Sequence, residues 1–177
     1  MTQSVELLLD DAADTEIRAQ WDRLGDAGLP TARRTEPSPS HAPHLTLWAG
    51  DLVDEADEQV LPELFADLDL ELVIGGLLLF GPRRGGYVLV RQVVASKGLL
   101  DLQRQVVRIC RTRAYPGFEV GRWSPHITLA RRVGVDQVGP SLAALAGSSP
   151  ELVAQVRGAR RWDSDRKLTW LLTGSAS

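Results

Sequence analysis

The chain has 177 residues, 44% hydrophobic and 24% charged, with a net charge of −3. That balance suits one soluble globular domain, or two small halves packed together, and excludes a disordered or collagen-like chain. The single cysteine, Cys110, excludes an internal disulfide and favours a reducing compartment.

The first residues lack the basic and then apolar pattern of a secretory leader. Residues 4–9 form a short apolar run and are predicted as a strand. Residues 12–24 carry Ile17, Trp21 and Leu24 at helical spacing. Residues 28–43, rich in Pro, Ser, Thr and Arg, read as a long loop. A strand is predicted over 44–48 and a helix over 53–68. A strand over 70–80 follows, with a bend at Gly75-Gly76. Residues 72–81, the longest apolar run, are too few to span a membrane. Residues 81–86 are turn material. The second half repeats the order: strand 87–94, helix 98–113, a loop through Pro116-Gly117, strand 126–131, helix 135–146 and strand 151–162. A last strand, 167–172, closes the chain. The expected protein is a cytoplasmic monomer without membrane contact.

Charge divides along the same line. Residues 1–81 hold 4 Arg and 17 Asp or Glu, whereas 82–177 hold 14 Arg, 2 Lys and 6 Asp or Glu. A basic half favours an anionic partner, although attraction between the halves would also explain the asymmetry.

The halves share a motif. Pro43-His44-Leu45-Thr46-Leu47 recurs 82 residues later as Pro125-His126-Ile127-Thr128-Leu129. Leu7 then falls opposite Leu89, Val53 opposite Val135, Gly76 opposite Gly158 and Phe80 opposite Trp162. Two repeats, about 1–81 and 82–177, are therefore expected within one domain. The fold class expected is α+β: a bilobal, duplicated arrangement of two antiparallel-rich sheets related by a pseudo-twofold, with flanking helices and a cleft between them.

The chain has three histidines, and two occupy the shared frame. On a strand, residues i and i+2 share a face, roughly 6.5–7 Å apart. His44 and Thr46 therefore lie opposite Leu45 and Leu47, and His126 and Thr128 lie opposite Ile127 and Leu129. Two imidazoles and two hydroxyls in one cleft suit in-line displacement at phosphorus. A neutral imidazole takes a proton from water while an imidazolium gives one to the departing oxygen. The threonines would hold the non-bridging oxygens. No metal or other cofactor is required.

The two motifs resemble those of the 2H phosphoesterase superfamily. Within it the closest likeness is to the 2′-5′ RNA ligase, or RNA 2′,3′-cyclic phosphodiesterase, family. The stretch Ser124-Pro125-His126-Ile127-Thr128-Leu129-Ala130-Arg131 is the most similar part. The resemblance implies a duplicated bilobal fold, His44 as proton donor, His126 as acceptor, and Thr46 and Thr128 as phosphate ligands. It also favours Arg131 as a phosphate ligand, whereas strand alternation would put Arg132 on the His126 side. The chain departs from the family in Trp48-Ala49-Gly50-Asp51 after the first motif and in an N-terminal strand without the usual Arg and Phe pattern.

The remaining residues are read more plainly. Trp123, Tyr115 and Phe118 could stack a base, or simply pack the structure. His41 is expected as a solvent-exposed loop residue, and Cys110 as inert core. The function expected is hydrolysis of a 2′,3′-cyclic phosphate, on an RNA end or a small nucleotide, to a 2′-phosphate, with 2′-5′ RNA ligation as the reverse. The alternative is a non-catalytic module that grips RNA or nucleotide phosphate in the same cleft.

Overall fold

A computed structural model describes residues 2–35, 41–83 and 85–172. Residues 36–40 of the long loop, and Arg84 of the 81–86 turn, lie outside the described residues. The elements run β1 (Gln3–Leu9), α1 (Asp11–Asp26), β2 (His44–Gly50), α2 (Glu55–Phe65), β3 (Glu71–Arg83) and β4 (Gly86–Val93), then α3 (Lys97–Ile109), β5 (His126–Val133), α4 (Val138–Ala144), β6 (Leu152–Asp163) and β7 (Leu168–Leu171). A 3₁₀ turn, Val135–Gln137, replaces the start of the helix expected at 135.

The helices start where side chains can satisfy their free N–H groups. Asp10 caps α1 by accepting from the Ala13 N–H at 2.9 Å, and Ser96 caps α3 by accepting from the Leu99 N–H at 3.3 Å. Ile17, Trp21 and Leu24 all face the core from α1, as their spacing predicts.

The strands form one antiparallel sheet in the order β1-β2-β5-β4-β3-β6-β7, with β1 also paired to β6. The expectation of two separate sheets is corrected. The twelve residues of β6 are long enough to serve two partners: Leu152 to Gln155 pair with β3, and Val156 to Asp163 pair with β1. At the other end, β2 and β5 meet through Leu45 opposite Ile127. Strand β3 pairs with both β6 and β4 at Ile74, beyond which only β4 continues, across a bulge that falls on Gly75-Gly76, where the sequence signalled a bend.

Candidate active site

Both motifs lie on strands that alternate as expected. Leu45, Leu47, Ile127 and Leu129 are wholly buried, while His44, Thr46, His126 and Thr128 are half-buried on the other face. The Leu45–Ile127 pair sets the middle residues of the two triplets side by side. All four motif side chains, with Arg131, line one cavity of about 390 Å³. His44, Thr46, Thr128 and Arg131 also line a second cavity, of about 440 Å³. The two cavities thus meet along the motifs.

Beyond the Leu45–Ile127 contact the carbonyls of both threonines receive indole N–H groups. Trp21 donates to the Thr128 carbonyl at 3.0 Å and Trp123 to the Thr46 carbonyl at 3.1 Å. These bonds satisfy carbonyls that would otherwise be unpaired where the strands part. Trp123 is buried, so it packs the structure. Phe118 lines both cavities and Tyr115 the larger, with its hydroxyl 2.7 Å from Asp51.

Each strand carries a bulge at the same place in its motif. Val5 faces Trp48 but Glu6 faces Thr46, so β2 has an extra residue at Leu47. Val90 faces Thr128 but Leu89 faces Ala130, so β5 has one at Leu129. Cross-strand partners share a face. Trp48 is therefore turned into the core, and Ala130 is turned away from Thr128. Arg131 comes round to the Thr128 side. Alternation alone, which favoured Arg132, fails because of this bulge. Arg132 sits at a second irregularity with φ of 60° and lines neither cavity.

The two histidines are anchored alike. His44 Nδ1 lies 2.7 Å from the Ala42 carbonyl, and His126 Nδ1 lies 2.8 Å from the Ser124 carbonyl. A carbonyl only accepts, so Nδ1 carries the hydrogen in both rings, and Nε2 is the nitrogen that can gain or lose a proton. Burial holds His126 below the ordinary imidazole range, and Arg131 and His44 push the same way against the Ser124 bond.

The sequence reading missed a charged group beside His44. Glu6 on β1 receives the Ser4 hydroxyl at 2.7 Å and Arg160 Nε at 2.8 Å. Its Oε1 stands 3.6 Å from His44 Nε2. Burial alone would raise the Glu6 carboxyl, but His44, Arg160 and Ser4 outweigh it and hold it below the ordinary value. One signal was present: Glu6 is a lone carboxylate in an otherwise uncharged strand. His41 is also corrected. Its ring stacks on Trp21 at 4.9 Å, its Nε2 lies 2.7 Å from the Ala32 carbonyl, and it lines the larger cavity. Among the described residues no three His, Cys, Asp or Glu side chains converge as metal ligands. No described helix is long and apolar enough to cross a membrane.

Comparison with known proteins places the chain in a family. The chain matches the 2′-5′ RNA ligase superfamily over residues 12–168. No curated relative matches it. Among solved structures, TT0787 of Thermus thermophilus superposes with a TM-score of 0.58 at 18% identity, covering 97% of this chain and 95% of that one. LigT of E. coli, complexed with phosphate, gives 0.56 at 16%, covering 96% and 91%. Usb1 of Kluyveromyces marxianus gives 0.56 at 10%, covering 97% of each chain. With the α+β fold of LigT and a family match that spans both motif strands, the chain belongs to the 2′-5′ RNA ligase superfamily.

Proposed function

We propose that this chain is a metal-independent phosphoesterase that opens a 2′,3′-cyclic phosphate, on an RNA end or a small nucleotide, to a 2′-phosphate. The observation that carries this reading is the Leu45–Ile127 pairing, which brings both His-X-Thr triplets to the rim of one cavity. Nucleotide ligands in the same fold support it: LigT has been crystallised with phosphate and with 3′-AMP, and Usb1 with uridine monophosphate.

In this mechanism Thr46, Thr128 and Arg131 hold the non-bridging oxygens as negative charge builds on them. Neutral His126 accepts a proton from water at Nε2, and the water oxygen bonds to phosphorus. The P–O3′ bond breaks on the far side, and protonated His44 gives its Nε2 proton to O3′. The lowered basicity of His126 suits the acceptor, which must start neutral. A 5′-hydroxyl in place of water would give a 2′-5′ bond by the same steps.

We also read the chain as two repeats, 1–81 and 82–177, in one domain. The strand pairings support this. Exchanging β1, β2 and β3 for β4, β5 and β6 turns the β1–β2 and β1–β6 pairs into β4–β5 and β4–β3. It leaves β2–β5 and β3–β6 as they are.

The test is incubation of the protein, in excess EDTA, with an RNA oligonucleotide ending in a 2′,3′-cyclic phosphate and, separately, with a mononucleotide 2′,3′-cyclic phosphate. Conversion to a 2′-phosphate that the His44→Ala/His126→Ala protein cannot perform is the expected result. Binding of the RNA without conversion, retained in the double variant, would replace the enzyme with a phosphate-gripping module.

A further inference from the structure

Among the described residues, His44 is the only histidine within ion-pair reach of a carboxylate. That carboxylate, Glu6, is held from three strands. It stands across from Thr46 on β2 and across from Arg160 on β6. Its side chain is 5% exposed, and its oxygens take the Ser4 hydroxyl and the Arg160 guanidinium. A buried carboxylate with an arginine and a hydroxyl donor is an anion.

Apart from the Tyr115 phenol, which its bond to Asp51 holds neutral, the other titratable groups that line the cavities with His44 are cations, Arg34 and Arg122 among them, or become cations. Arg160 Nη2 lies 3.4 Å from His44 Nδ1, where the nearer Ala42 carbonyl already takes the hydrogen. His126 on β5 and His41 ahead of β2 interact with His44 through their charge, and Arg131 lines the same cavities. Among the described residues no carboxylate stands within ion-pair reach of His126. Its ring meets the edge of Phe80 at 4.9 Å and the Ser124 carbonyl. Two histidines alike in motif and anchoring therefore differ by one negative charge.

We propose that Glu6 is a positioning residue that keeps the proton on His44 Nε2, and that Arg160 tempers its pull so the proton can leave. This rests on the phosphoesterase reading and adds to it a residue outside both motifs. When O3′ departs, the Nε2–H bond breaks and an O3′–H bond forms. Glu6 remains ionised against Arg160 throughout, so the proton moves to substrate and not to the carboxylate.

The test is an NMR titration of the histidine rings in the intact protein, Glu6→Gln and Arg160→Gln, beside the pH profile of turnover on the cyclic-phosphate substrates. Removing the anion, 3.6 Å from His44 Nε2, should move the His44 midpoint and the alkaline limb of turnover to lower pH. Removing the cation should move both up. The His126 midpoint should move less than that of His44 in each variant. A merely structural role would not displace one ring in opposite directions. A His44 midpoint that stays put in folded Glu6→Gln, or moves the same way in both variants, overturns the proposal. If only one variant folds, its direction decides. If the intact protein turns over neither substrate, the phosphoesterase reading fails, and the ring titration judges the Glu6–His44 coupling by itself.

Discussion

Leu45 and Ile127 face each other across β2 and β5, and each is the middle residue of a His-X-Thr triplet. Both are wholly buried. One apolar contact thus sets the spacing of four polar side chains on the opposite face. Truncating either residue to alanine should cost about 2–5 kcal/mol of stability, read by urea unfolding, because a cavity opens in a close-packed core. Under the proposed mechanism turnover should fall as well, in protein that is still folded. Full turnover in a destabilised Ile127→Ala protein would show that the pairing does not set catalytic spacing.

The bulge at Leu129 decides which of the two arginines near the end of β5 faces the cavities. Under the proposed mechanism Arg131→Ala should lower kcat/KM by about ten- to a hundredfold, the scale of losing one charged phosphate contact. Arg132→Ala should leave kcat/KM unchanged, since Arg132 lines neither cavity. Equal losses at both positions would restore the simple alternation that the bulge displaces. Arg132→Gly should also raise the unfolding midpoint, because a side chain at φ of 60° is strained by roughly 1 kcal/mol.

His41 and His126 both sit below the ordinary imidazole value of 6.5, each mainly through burial. The sign follows from proton binding. Above that value neither state holds the proton, so the folded chain has its full advantage. As pH falls below it the unfolded chain protonates first, and stability drops until the folded rings titrate too. Unfolding free energy should therefore decline from pH 7 towards pH 5. The decline should be shallower in His126→Gln. A curve flat over that window in the intact protein would contradict the burial of both rings. A second decline belongs below about pH 4.5, where the unfolded chain takes up protons that the partners of Glu6, Asp10, Asp101 and Asp163 keep off those carboxylates in the folded one.

Cys110 is buried, and burial pushes its thiol up to about 12. The thiolate is the reactive form, so the native protein should resist alkylation by iodoacetamide at pH 8. Labelling should appear only in denaturant. Rapid labelling of folded protein would mean that the end of α3 opens.

Local chemistry was legible in the sequence. Period-two and helical spacing placed the elements, and Ile17, Trp21 and Leu24 went to the core because a helix returns such positions to one face. The two motifs exposed His44, Thr46, His126 and Thr128 as one constellation because their alternation survives within each strand. Tertiary structure alone decided the rest. Two pairings distant in sequence, β2 with β5 and the long β6 with both β1 and β3, join the strands into one sheet, and no local propensity encodes which partner a strand takes. Only the bulges at Leu47 and Leu129 turn Trp48 inward and Arg131 outward, since an extra residue reverses every side chain beyond it. Glu6 and Arg160 are 154 residues apart in the chain. Their charge reaches His44 because β2, β1 and β6 lie side by side there, a proximity that sequence periodicity does not carry.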